Sequence, residues 1–139
     1  MAEKPTVSVI IPTYNRAHLI DRSIQSVLNQ TYQDFELIVV DDRSTDNTED
    51  IIRQFREKDK RIKYIKHDKN KGGSAARNTR IKNSVGKYIA FQDSDDEWFP
   101  EKLEKQMKIF ETASLEVGVV YTGFWRIKDN KKTYIPTDI

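Results

Sequence analysis

Apolar residues in this chain come in short dense runs that alternate with stretches in which every third or fourth residue is apolar. "TVSVIIP" (Thr6 to Pro12) is β-branched and nearly all apolar, the pattern of a strand buried on both faces and ended by a proline. In "HLIDRSIQSVLNQ", Ile20, Ile24, Val27 and Leu28 recur at helical spacing and predict one apolar stripe. "FELIVVDD" (Phe35 to Asp42) predicts a second buried strand that ends on paired carboxylates. "RSTDNTEDIIRQF" then opens a helix whose Asp46 and Glu49 are spaced as a capping pair.

The alternation continues. "RIKYIKH" predicts a shorter third strand, with Ile62, Tyr64 and His67 set against charged alternates. "NKGGSAARNTRIKNSVG" predicts a glycine turn and a small-residue helix that stops near Gly86. "KYIAFQD" is a fourth strand. Pro100 stands where a first helical position would be, with Leu103, Met107 and Phe110 following at helical spacing. "VGVVYTGFWRI" (Val117 to Ile127) predicts one or two further strands around Gly118 and Gly123.

Nearly all-apolar strands that alternate with helices imply an α/β fold: three layers, α/β/α, around a mostly parallel sheet. Ligands of such sheets bind beyond the carboxyl ends of the strands. The polar clusters fall at those ends: "PTYN" after the first strand, "DD" after the second and "DSDD" after the fourth. No linker, internal repeat or low-complexity tract interrupts the chain, so residues 1–139 are expected to form one domain.

Composition narrows the chemistry. A chain of 139 residues can bury one modest core. Its 24 Lys and Arg against 22 Asp and Glu leave a net charge of +2, too little to point to nucleic acid. The absence of cysteine removes disulfides, thiolate zinc sites and cysteine nucleophiles, so a metal would need oxygen donors or His18 and His67. The opening residues lack a signal-peptide pattern, and no stretch approaches the roughly 18 apolar residues of a membrane span. A cytoplasmic location is expected, with docking at the cytoplasmic face of a membrane left open.

Asp93, Ser94 and Asp95 form an Asp-x-Asp turn. Carboxylates on alternate residues can converge on one hard cation, Mg²⁺ or Mn²⁺, and leave positions for waters and a diphosphate. The plainer alternative, a solvated loop that favours the next helix's N-terminus, is outweighed by the position of the turn beside two other polar strand ends. Acidic spacing over Asp93 to Glu104 also resembles a calcium loop, but Trp98 holds the obligatory glycine position and Pro100 follows. Asp41 divides evenly between a structural and a ligand role; Asp42 is the stronger ligand candidate. Gly72 and Gly73 match neither a P-loop nor a dinucleotide fingerprint. Arg77 can pair with a diphosphate or with the acids after the fourth strand. His18 and His67 read as ordinary surface or packing residues. The basic run from Arg53 to Lys71 reads as a solvated face, and Trp98, Phe99, Phe124 and Trp125 as packing residues before stacking platforms.

Taken in order, "VSVIIPTYNRAHLIDRSIQSVLNQTYQDFELIVVDDRSTDNT", "NKGGSAARN" and "GKYIAFQDSDD" resemble the successive motifs of the inverting nucleotide-sugar glycosyltransferases of family 2, which have the GT-A fold. The resemblance covers about residues 6–100. It implies nucleotide-sugar contacts at Pro12, Thr13, Tyr14, Asn15, Asp42, Arg77, Asp93 and Ser94, with Tyr14 stacking on the base and Asp42 accepting a hydrogen bond from it. Asp95, with Asp93, would hold Mn²⁺ or Mg²⁺ on the diphosphate. The donor would be a UDP-sugar and the acceptor a saccharide or a lipid-linked saccharide. Asp129 and Asp138 lack the context of the family's catalytic base, so the chain is expected to be a donor-binding piece whose base and acceptor region lie beyond Ile139. A nucleotidyltransferase would instead carry a glycine- and basic-rich loop where "PTYNRAH" stands. A noncatalytic binding module is the other alternative, and the intact Asp93 and Asp95 weigh against it.

Overall fold

The computed structural model describes residues 3–137, so Asp138 lies outside the described residues. Two compact units are present, Met1–Glu101 and Lys102–Ile139. The first contains β1 (Val7–Thr13), α1 (Ile20–Leu28), β2 (Phe35–Asp41), α2 (Thr48–Lys58), β3 (Ile62–Lys66), α3 (Gly72–Asn83) and β4 (Tyr88–Phe91). Its four strands pair in parallel in the order β3-β2-β1-β4. The chain therefore steps outward from β1 to β3 and then crosses back to the far side of β1. Right-handed crossovers then require α1 and α2 on one face and α3 on the other. The expected mostly parallel, helix-covered sheet is present.

The core lies in β1 and β2. Val9, Ile10, Ile11, Leu37, Ile38, Val39 and Val40 are fully buried, as two-sided burial demands of near-continuous apolar strands. On the face that carries Ile10, Ile38 and Val40, Ile65 of β3 completes a cluster. β4 departs from the expected apolar pattern: it is an edge strand, and Phe91 is 51% exposed.

Pro12 does not end β1, which continues through Thr13. The carbonyls of Thr6 and Ile10 accept bonds from the amides of Tyr88 and Gln92, so even-numbered residues of β1 turn their backbone toward β4. Pro12 is next in that series. Its register lies past Phe91, the last residue of β4, so its missing N–H costs the ladder nothing. The same early end of β4 leaves the last residues of β1 without a strand partner on that side, at the point where the strand order reverses. Crevices at such switch points are where parallel sheets bind ligands.

The second unit contains α4 (Lys102–Thr112) and a hairpin of β5 (Phe124–Lys128) and β6 (Lys131–Ile135). The hairpin corrects the sequence expectation twice: residues 117–123 are not strand, and β6 was not anticipated. Asp129 and Asn130 both have positive φ (51° and 59°), the two-residue turn that matches strand twist. Across the pair, Trp125 faces Tyr134 with ring centroids 5.3 Å apart. Gln106 Nε2 of α4 donates to the carbonyl of Val120 at 3.1 Å.

Candidate functional site

The ends of β1 and β2 are joined through their backbones and by short polar side chains. The Asp42 amide donates to the Thr13 carbonyl at 2.9 Å, and the Asn15 amide to Ser44 Oγ at 2.8 Å. Asn15 sits in the left-handed region, which asparagine tolerates, and its Oδ1 accepts from the Thr45 amide. Arg43 is also left-handed (φ 69°), so the chain turns sharply after the two acids. Asp46 Oδ1 accepts from the Thr48 amide and hydroxyl, but Glu49 pairs with Lys66 instead of reaching back, so only half of the expected capping pair forms.

The two acids of β2 are held by protein groups. Asp41 is fully buried; its Oδ1 accepts from the Ser44 amide and hydroxyl, and its Oδ2 from the Tyr64 hydroxyl at 2.7 Å. That is a structural role. Asp42 Oδ1 meets His67 Nδ1 at 2.9 Å and accepts from the Lys71 amide at 2.8 Å, while Oδ2 accepts from the Gly72 amide at 3.0 Å. Desolvation, the largest single influence, pushes the Asp42 carboxyl up, but these bonds and the charge of His67 outweigh it and hold it below the usual carboxylate range. Gly72, with φ 76°, takes the left-handed conformation the loop needs there.

The acidic turn after β4 is built the opposite way. Gln92, 2% exposed, sends Nε2 to the Asp96 carbonyl at 2.8 Å and to Ser26 Oγ at 3.1 Å. The buried Ser23 of α1 donates to the same carbonyl at 2.5 Å. The Asp96 amide closes the turn onto the Asp93 carbonyl. The backbone is thus fixed from below, whereas the carboxylates of Asp93, Asp95 and Asp96 are exposed, with oxygens that all lie within 4.8 Å of one another. The Asp96 carboxyl is raised, first by desolvation and then by repulsion from Asp95 and Asp93.

Of the residues named from sequence, Thr13 is buried with no partner for Oγ1, Tyr14 is 48% exposed, and Ser94 is buried in the acidic turn. Asn15 and Asp42 lie together at the ends of β1 and β2. Arg77 is exposed on α3, and its ion pair with the acids is not formed among the described residues. Sequence reasoning missed Ser23, Gln92, His67 and Arg80. His67 is 5% exposed, and its Nε2 meets Thr79 Oγ1 at 3.1 Å, so it ties Asp42 to α3. Only its place at the end of an apolar strand could have signalled this.

The family model described as glycosyl transferase family 2 matches residues 8–138. The chain belongs to this family. Within glycosyl transferase family 2, a UDP-Glc:alpha-D-GlcNAc-diphosphoundecaprenol beta-1,3-glucosyltransferase of Escherichia coli, WfgD, is 48% identical over 124 residues, which cover 89% of this chain and 47% of that protein. Staphylococcus aureus TarS 1-349 in complex with UDP superposes with a TM-score of 0.71 at 32% identity, over 84% of this chain and 38% of that one. The mannosyltransferase PcManGT of Pyrobaculum calidifontis, in complex with GDP-Man and Mn²⁺, superposes with a TM-score of 0.64 at 31% identity, over 69% of this chain and 29% of that one. The chain spans less than half the length of the curated relatives it matches.

Proposed function

We propose that this chain is the donor-binding part of a glycosyltransferase that takes sugar from a UDP-sugar, and that residues 1–139 form one GT-A donor-binding module. The observation that carries this reading is the set of three carboxylates, oxygens within 4.8 Å, on the turn that follows β4, where β4 stops short of the end of β1. The donor set fits a hard divalent cation: all oxygen, close enough to share one ion, and mutually repelling without one. Asp95, Asp93 and Asp96 would hold Mn²⁺ or Mg²⁺. When bound, the cation supplies charge stabilisation for the departing diphosphate.

The chain's own residues do the rest of the donor binding. Tyr14 offers an exposed ring for stacking on the base. Asp42 enters the site already oriented by His67, Lys71 and Gly72, which leaves acceptor capacity on Oδ2 for a base N–H. Thr13 Oγ1, buried without a partner, and Asn15 sit at the same strand end. Gln92 and Ser23 anchor the main chain of the acidic turn to α1 and leave its carboxylates facing outward. Arg77, exposed on α3, is free to meet a phosphate.

The reaction is an inverting displacement at the anomeric carbon, with the acceptor hydroxyl deprotonated by a carboxylate beyond Ile139. The acceptor is a saccharide, carried on lipid as the name of the E. coli relative describes, and the setting is cell-envelope polysaccharide synthesis at the cytoplasmic face of a membrane. No described helix is long and apolar enough to cross a membrane. Calorimetry with UDP, GDP and ADP, each with and without Mn²⁺, tests the reading. Mn²⁺-dependent binding of UDP above the other two is expected, and transfer by the 139-residue chain alone should be negligible. Equal binding of all three without metal would refute it.

A further inference from the structure

Arg80 is the least expected residue of α3. It lies in a helix whose other basic residues, Arg77 and Lys82, are exposed, yet it is 3% exposed, its Nε has no hydrogen-bond partner, and it forms no ion pair among the described residues. The neighbouring Thr79 contacts His67, and His67 follows β3 on the face that carries Ile65, Ile10, Ile38 and Val40. Arg80 is thus buried by a helix that covers an apolar sheet face. Burying a guanidinium whose Nε has no partner costs free energy that a leucine or methionine would not.

The charged groups that act on Arg80 are Arg77 on its own helix, Asp42 from the end of β2 and Asp93 from the end of β4. Desolvation first, and then Arg77, bring its pKa down to about 10, against the opposing pull of the two acids. It therefore stays charged at neutral pH. Those two acids follow β2 and β4, the strands that flank β1, and a charge in a low-dielectric interior acts on them more strongly than one in water. Four acids, Asp42, Asp93, Asp95 and Asp96, follow β2 and β4, and one bound divalent ion does not neutralise them together with a diphosphate.

We infer that Arg80 is a positioning residue of the donor site: a fixed, buried positive charge that offsets Asp42 and Asp93 so that the crevice accepts an anionic nucleoside diphosphate. The inference rests on the donor-binding function proposed above. It makes opposite demands on two ligands, because a positive charge attracts the diphosphate and repels the cation. A residue that merely supports the fold would affect both in the same direction.

The test compares the wild-type chain with Arg80→Lys, Arg80→Met and Arg80→Gln. Mn²⁺ binding alone is followed by electron paramagnetic resonance, UDP binding in saturating Mn²⁺ by calorimetry, and folding by thermal denaturation. In the Met and Gln variants UDP should bind about tenfold more weakly, while Mn²⁺ alone binds about threefold more tightly. The Lys variant keeps the charge and should stay near wild type in both. The Met variant should melt at or above the wild-type temperature, since it removes a buried unpaired charge. Weakened binding of both ligands, unchanged binding of both, or loss of folding in the Met and Gln variants alike would overturn the inference. A wild-type chain that fails to bind UDP would overturn the donor-binding proposal and this inference with it, whereas wild-type binding matched by all three variants would overturn the inference alone.

Discussion

At the end of β2, hydrogen-bond donors converge on the carboxylates of Asp41 and Asp42; at the end of β4, they converge on backbone carbonyls and leave the carboxylates of Asp93, Asp95 and Asp96 to solvent and to one another. Both clusters are adjacent or near-adjacent aspartates after a parallel strand, and the sequence distinguishes them poorly. The difference lies in what surrounds them. Ser44, Tyr64 and His67 bring hydroxyl and ring donors to the first pair, so those charges are satisfied before any ligand arrives. Gln92 and Ser23 instead fix the main chain of the second cluster. Acids held this way repel one another, and a cation relieves the repulsion.

The largest consequence of this contrast is in stability. Asp41→Ala strands the Tyr64 hydroxyl and the Ser44 amide in a fully buried spot and should cost about 3 kcal/mol in chemical denaturation. A neutral result would erase the distinction between the two clusters. Asp95→Ala should change stability by less than about 0.5 kcal/mol, yet weaken UDP binding in Mn²⁺ about a hundredfold, or about 2.7 kcal/mol. Equal loss of stability in both variants would show that the acidic turn is also structural.

Acid titration sharpens the contrast further. The carboxyl of Asp42 is held below its unfolded value, so its stabilising contribution is complete above about pH 4 and is lost as pH falls through the lowered folded value. Asp96 is raised, so its contribution runs the other way: it is present when the group is protonated and is lost as pH rises through the raised folded value. Asp42→Asn should therefore flatten the acid limb of the stability profile, and Asp96→Asn should not. The smallest effect is that of Asp96→Asn at neutral pH without metal, a gain below about 0.5 kcal/mol after solvent screening, read from the denaturation midpoint.

The sheet could be read from the sequence because two-sided burial leaves continuous β-branched runs such as "VSVII" and "LIVV", and the ends of those runs pointed to the candidate site. What could not be read depended on partners distant in the chain. Pro12 looks like a stop until β4 is known to end before it. His67 lies 25 residues after Asp42 and carries no spacing signal. Arg80 stands among Arg77, Lys82 and other polar residues, and nothing local says that it turns inward. The β5–β6 hairpin was obscured for the opposite reason: both strands are largely exposed, so "RIKDNKKTYI" shows no strong alternation, and its turn uses Asp129 and Asn130 in place of glycine.

The central claim is that the acidic turn and the Tyr14–Asp42 strand ends line one crevice filled by a single nucleotide. Amide NMR with substoichiometric Mn²⁺, before and after addition of UDP, tests it most directly. The metal alone should broaden resonances of residues 92–97, and UDP should then shift Tyr14, Asn15 and Asp42 while the broadening sharpens onto the same turn. Shifts at Tyr14 and Asp42 that ignore the metal, or broadening that settles away from Asp93 and Asp95, would contradict the claim.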